Sequence, residues 1–392
     1  MVKKIIVKKI ISDENIKNKE GEYFPESFYN KKDRYIIDYD CDVYTNSGKL
    51  LLKFRKNVIP PKYTDIALKA YLEASKKKHE NRGAAAGELD RNKLANYIGT
   101  FVNKSKFRTG FYSSVSGKKS KQATSNLSKS NIIGFFDVPD RNLKGKGAPC
   151  RLTAFNRDNP ELWKTGLPFI KKCNEQFKKL IPTNYKIQYD RAQQTPNFVI
   201  PGTAFSTITI NYSWRTALHQ DKGDLKEGFG NLIVIEDPNN KNTYNGSYIG
   251  FPQYGVCVDV RTGDFLAMDV HEWHCNTEFK KKTNKIFKDG FKDIDIKNNW
   301  HFNRLSMVMY LREKMIKCKN KSLWKNKLGG GKKNKQKDKH KYKNSNNKYK
   351  QKDKNIYNNE NIETKILKYL PHEYIDYMNY HYGLFNDIKV NL

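Results

Sequence analysis

An α+β fold is what this sequence predicts, with short antiparallel strands forming a sandwich or jelly roll and helices flanking it. Three observations carry that expectation. Phe205-Ser-Thr-Ile-Thr-Ile-Asn-Tyr212 alternates apolar and polar residues with β-branched side chains, a strand pattern. Four more such runs follow at 230–236, 255–260, 264–269 and 304–311, separated by Gly-, Asn- and Pro-rich turns. Upstream, Ile170, Cys173, Phe177 and Leu180 recur at helical spacing, predicting a helix over 168–180.

The remaining elements follow in order. Residues 1–62 read as an N-terminal extension with strand-like 34–38 and 49–54, ending near Pro60-Pro61. A helix is expected from about 65 to 78. Asn81-Arg-Gly-Ala-Ala-Ala-Gly87 is a small-residue turn without the spacing or Lys-Ser/Thr of a phosphate loop. Residues 103–130, rich in Lys, Ser and Gly, read as a loop or basic arm. Residues 280–299 read as an insertion between the last two strands. The segment 313–358 is built from Lys, Asn, Gln and Tyr and buries too little apolar surface to offset its ordering entropy, so it is expected to be disordered. A helical piece at 363–385 is expected within a last segment, 359–392.

Charge narrows the partners. The chain carries a formal +33, and between Lys314 and Lys354 stand 17 Lys against Asp338 and Asp353, leaving +15 there. A basic body with a basic segment points to a polyanion, most simply nucleic acid. Apolar residues make up 37%, and no apolar run approaches the ~20 residues of a membrane span. A soluble, intracellular protein without a membrane partner is the expectation, with nucleus or cytoplasm and oligomeric state undecided. The six cysteines lack CxxC or paired spacing, which argues against a disulfide framework and a zinc site and suits a reducing compartment.

Three separated pieces suggest chemistry. His219-Gln-Asp221 follows the first strand, and residues two apart on extended chain face one side. A second imidazole comes from Met268-Asp-Val-His-Glu-Trp-His274, where His274, beyond its strand, is favoured over His271. His271 then has a supporting role, and the reverse choice stays open. Arg304 and Ser306 share a face of the last strand, and an Arg there needs an anionic partner. Two imidazoles and a carboxylate leave open positions on Fe(II), and an Arg-Ser grip suits a dicarboxylate. Together they suggest a dioxygenase using Fe(II), O2 and 2-oxoglutarate. Asp224 would project from the ligand loop into the pocket, and Tyr212, Trp214 and Trp273 flank the site.

The order of Asn81–Gly87, Ser130–Asp137, Cys150–Phe155, His219-Gln-Asp-Lys-Gly-Asp224, Gly228–Leu232, His271–Thr277 and Arg304-Leu-Ser306 resembles the TET/JBP family of Fe(II)- and 2-oxoglutarate-dependent nucleic-acid base dioxygenases. The resemblance implies a double-stranded β-helix (jelly-roll) oxygenase core over residues 63–312. It makes His219, Asp221 and His274 the iron ligands, Arg304 and Ser306 the co-substrate clamp, and Asp224 a residue facing the base. Cys275 stands where the family has a glycine. The implied reaction is hydroxylation of the 5-methyl group of 5-methylcytosine or thymine in DNA. Residues alone also admit a 2-oxoglutarate-dependent protein side-chain hydroxylase, or a non-catalytic jelly-roll protein that binds nucleic acid.

Overall fold

Alternation along the strands becomes a sheet with two different faces. The computed structural model describes residues 2–79, 81–90, 97–113, 125–137, 150–236, 244–281, 286–287 and 304–318. Its strands begin with β1 (Lys3–Val7), β2 (Tyr35–Ile37), β3 (Cys41–Thr45), β4 (Leu50–Arg55), β5 (Lys78–His79), β6 (Tyr97–Ser105), β7 (Arg108–Ser113), β8 (Ser128–Asp137) and β9 (Cys150–Leu152). They continue with β10 (Thr207–Tyr212), β11 (Gly230–Glu236), β12 (Tyr244–Gly246), β13 (Ile249–Phe251), β14 (Val256–Val258) and β15 (Phe265–Met268). The last are β16 (Cys275–Asn276), β17 (Phe279–Lys281), β18 (Ile286–Phe287) and β19 (Arg304–Tyr310).

A ten-stranded sheet runs β1-β3-β4-β15-β11-β19-β10-β8-β5, with β9 added on β8. A four-stranded sheet runs β16-β13-β14-β2. Most pairings are antiparallel; β1 on β3 and β2 on β14 are parallel.

The period-2 pattern sorts side chains to the two faces. Ile208 and Ile210 of β10, Ile233 and Ile235 of β11, and Leu305, Met307 and Met309 of β19 enter one core. Helices cover that face. Pro61–Ser75 lays Ala67, Ala70, Tyr71 and Ala74 on it, and Pro160–Leu180 lays Trp163, Ile170, Cys173 and Phe177. The two helices touch where Gly166 faces the Tyr71 hydroxyl, and a Cβ at Gly166 would lie 1.9 Å from it. On the opposite face Leu232, Val234, Leu266 and Met268 join Ile249, Phe251, Val256 and Val258 of the smaller sheet in a second core. The pocket lies between the sheets, on the face away from the helices.

Several expectations are corrected. Residues 103–130 are not a loop throughout: β6 and β7 form a hairpin and β8 begins at Ser128. The helix expected from 168 starts at Pro160, because proline at the first helical position costs no hydrogen bond, and it runs through Pro168. Pro182–Ala192, too weakly periodic to read, is a further helix. Within 280–299, β17 reaches in to pair with β12, and β18 pairs with β17. Residues 313–318, assigned to the Lys-rich segment, form a 3-10 turn, Glu313–Cys318. Cys318 is bonded to Cys150, against the expectation of unpaired cysteines. A separation of 168 residues leaves no local spacing to read. The rest of the Lys-rich segment, the 363–385 helix and residues 114–124 lie outside the described residues. Among the described residues, no helix is long and apolar enough to cross a membrane.

Candidate metal centre and its pocket

Backbone pairing brings the separated motifs together. His219 N–H donates to the His274 carbonyl and His274 N–H to that of His219, each at 3.0 Å. Such a doubly bonded antiparallel pair points both side chains to one side, and the ring centroids lie 4.3 Å apart. Asp221 N–H donates to Val270 O at 3.0 Å, fixing the carboxylate beside them. His219 Nε2 is 3.8 Å from Asp221 Oδ1, and His274 Nε2 is 3.8 Å from Asp221 Oδ2. Ligand atoms of all three lie within 4.8 Å of one another.

Each imidazole is oriented by its other nitrogen. His219 Nδ1 is 2.7 Å from Ala217 O, and His274 Nδ1 is 2.9 Å from Glu272 O. A carbonyl can only accept, so both Nδ1 atoms carry the proton and both Nε2 lone pairs face Asp221. Burial and the neighbouring His274 push the His219 pKa down to about 4, which keeps that lone pair free at neutral pH.

His271 is elsewhere. Its Nδ1 is 3.3 Å from Asp269 Oδ1 and its Nε2 3.3 Å from Asp224 O. It links the distal turn to the loop carrying Asp221, as a supporting role requires.

The cluster opens into a cavity of about 450 Å³. Its walls include Ile132, Phe136, Leu232, Met268 and Val308, and its polar lining includes Asn211, Thr216, Asn276 and Ser306. Arg304, 2% exposed, sits behind Ser306 on the same face of β19. Its Nη2 donates to Ser247 O at 3.3 Å, while its Nε is buried without a hydrogen-bond partner. The cross-strand carboxylate of Glu236 does not serve it, being taken by Thr262 and Arg261. An unpartnered buried guanidinium nitrogen is costly, so a missing anion fits this place.

Asp224 reaches the pocket with Oδ2 buried and unpartnered. Burial, together with the nearby Asp221, pushes its pKa well above the usual carboxylate range. A neutral carboxyl donates as well as accepts, whereas a carboxylate only accepts. Of the flanking aromatics only Trp214 lines the cavity; Tyr212 belongs to the helix-side core and Trp273 packs with Leu218 and Cys275.

Sequence reasoning missed Arg82, Arg108, Tyr310 and Arg312, which also line the cavity. Arg312 is held by Asp137, with Nε to Oδ1 at 2.7 Å. Arg82 is pinned through Nη2 to Asn131 O, and its Nε is buried without a partner. Their signal was present in Asn81–Gly87 and in Asp137, but it pointed to a motif and not to a role.

Comparison with known proteins agrees with this geometry. The Tet_JBP family, described as the oxygenase domain of the 2OGFeDO superfamily, matches residues 134–313. The thymine dioxygenase JBP1 of Trypanosoma brucei brucei is 34% identical over 184 residues, covering 47% of this chain and 19% of that protein. The bifunctional helicase and thymine dioxygenase JBP2 of Leishmania braziliensis is 30% identical over 181 residues, covering 46% and 14%. The chain thus spans a fifth or less of the length of these relatives. A solved structure, NgTET1 in complex with 5mC DNA, aligns with a TM-score of 0.40 and 10% identity over 77% of this chain and 92% of that one. The stretch from residue 134 to residue 313, which carries the His219–Asp221–His274 cluster, Arg304 and Ser306, is thus similar to the Tet_JBP family of oxygenase domains.

Proposed function

We propose that this chain is an Fe(II)- and 2-oxoglutarate-dependent dioxygenase that hydroxylates the 5-methyl group of a pyrimidine in DNA, thymine or 5-methylcytosine. One observation carries the reading. Two Nε2 atoms and a carboxylate share one side of a cavity, and a buried arginine nitrogen without a hydrogen-bond partner lies on the same strand face as the Ser306 that lines it. That donor set suits Fe(II) with open positions. The cavity between the two sheets supports reading them as a double-stranded β-helix. Both relatives are named thymine dioxygenases, which favours thymine.

His219, Asp221 and His274 would hold the iron, their geometry fixed by the carbonyls of Ala217, Glu272 and Val270. Iron, when bound, lets O2 oxidise 2-oxoglutarate to succinate and CO2, one oxygen atom going to the methyl group. Arg304 Nε and the Ser306 hydroxyl take the distal carboxylate, which satisfies the orphaned donor. Ile132, Phe136 and Val308 form the dry wall for a base and its methyl. Asp224 meets the polar edge of that base. A methyl inside a duplex cannot reach a cluster set between two sheets, so the base must leave the stack, at a cost of a few kcal/mol.

The test is base analysis by mass spectrometry. Anaerobically iron-loaded protein receives 2-oxoglutarate and ascorbate, then air, with thymine-only or 5-methylcytosine-rich DNA and His219→Ala as control. A hydroxymethylated base from one DNA, absent with the variant, is the expected result. Succinate formed with neither DNA altered moves the substrate to another class, and no turnover with no iron retained removes the oxygenase reading.

A further inference from the structure

A polar rung crosses the cavity wall. Ser130 on β8, Asn211 on β10 and Ser306 on β19 are cross-strand neighbours. The rung ends at Val234 on β11. Next to it on the same face stand Ile132 and Val308. All three polar residues are buried, and Asn211 is 7% exposed. Ser130 Oγ donates to Asn211 Oδ1 at 2.6 Å. The carboxamide oxygen is thus turned to Ser130 inside the wall, which leaves its two N–H donors for Asn211 to offer the cavity.

A donor pair beside the Ser306 hydroxyl, along the face that continues to Arg304, has one natural complement. Buried donors are costly unless paired, and an anionic oxygen pairs with them most strongly. We propose that Asn211 is a further binding residue for the 2-oxo dicarboxylate, donating Nδ2–H to a carboxylate oxygen, with Ser130 holding the amide in the donating orientation. The proposal rests on the oxygenase reading above. It also fixes the direction of the rung. Were the amide turned over, Asn211 would present its oxygen to a carboxylate, and the contact would repel.

The test uses the full chain loaded with Mn(II) under nitrogen, with 2-oxoglutarate binding followed by calorimetry and Mn(II) affinity measured separately. Asn211→Ala is expected to weaken 2-oxoglutarate binding by about tenfold to a hundredfold, the range of a hydrogen bond to a charged group. Asn211→Asp should weaken it more, since it sets a carboxylate against a carboxylate. Ser130→Ala leaves Asn211 in place but unlocks its amide, and a smaller loss of a few-fold is expected. Mn(II) affinity should stay unchanged in all three, which also shows that the variants fold. If Asn211→Ala and Asn211→Asp bind 2-oxoglutarate as the parent does while Arg304→Leu does not, the rung has no part in binding and only this proposal falls. If the Mn(II)-loaded parent binds no 2-oxoglutarate, the oxygenase reading falls and this proposal with it.

Discussion

His271 shows how much a few ångströms decide. It lies three residues from His274 and has the same side chain, yet it faces Asp269 and Asp224 O while His274 faces Asp221. The Asp269 carboxylate, 3.3 Å from Nδ1, raises its pKa, and burial opposes the rise only in part. A folded-state pKa above the unfolded value of roughly 6.5 means that the charged imidazole stabilises the fold. That contribution is full below the unfolded value and fades as pH rises through the folded one. Metal-free parent and His271→Gln should therefore differ in stability by more at pH 5.5 than at pH 8.5. Urea unfolding at the two pH values checks this, and equal differences would refute the link. At this scale the sequence said a good deal. The coming together of His219, Asp221 and His274 was legible because each motif is local. Arg82, Arg108 and Arg312 were not, since nothing local shows that an arginine after a strand or in a small-residue turn faces a shared cavity.

Among elements, the N-terminal strands do more than extend the sheet. β4 pairs with β15, and Leu51 O accepts from Asp269 N–H at 2.9 Å at the start of the distal turn. Just before β4, Lys49 Nζ lies 2.6 Å from both Asp269 Oδ2 and Glu272 Oε1. Glu272 is the residue whose carbonyl orients His274. On the proximal side, Leu218 exchanges backbone bonds with Gly21 and Glu22, and Ala217 N–H donates to Ala85 O. Both carbonyls that set the imidazoles thus sit on chain pinned from outside residues 134–313. The strands 34–38 and 49–54 were readable from their own residues, whereas these pairings join residues more than a hundred apart and leave no pattern to read. Lys49→Met should weaken Co(II) binding about tenfold and alter its visible d–d spectrum, at the low end of what lost ligand support costs. Lys49→Arg should restore most of both. A spectrum and affinity unchanged in Lys49→Met would make the clamp dispensable.

For the whole molecule, the excess of charge has to be joined to the cavity. Of the formal +33, the Lys-rich segment accounts for less than half, so the rest of the chain is basic as well. Arg82, Arg108, Lys222 and Arg312 line the cavity together with Glu20, Asp221 and Asp224. Arg108 opens β7 and is exposed, with its Nη2 2.9 Å from where a Cβ on Gly83 would stand. The glycine thus leaves the guanidinium room at the rim. A rim cation meets phosphate before any base is read, and such a contact positions DNA without choosing sequence. Each phosphate neutralised releases counterion, and the logarithm of affinity then falls linearly with that of salt concentration. Arg108→Gln should accordingly flatten that slope by about one and weaken binding alike for thymine-only and 5-methylcytosine-rich duplexes. A titration of fluorescent duplex binding over a range of salt concentrations reads both quantities. An unchanged slope would take Arg108 out of the phosphate path, and a loss confined to one duplex would move it from the rim to the base.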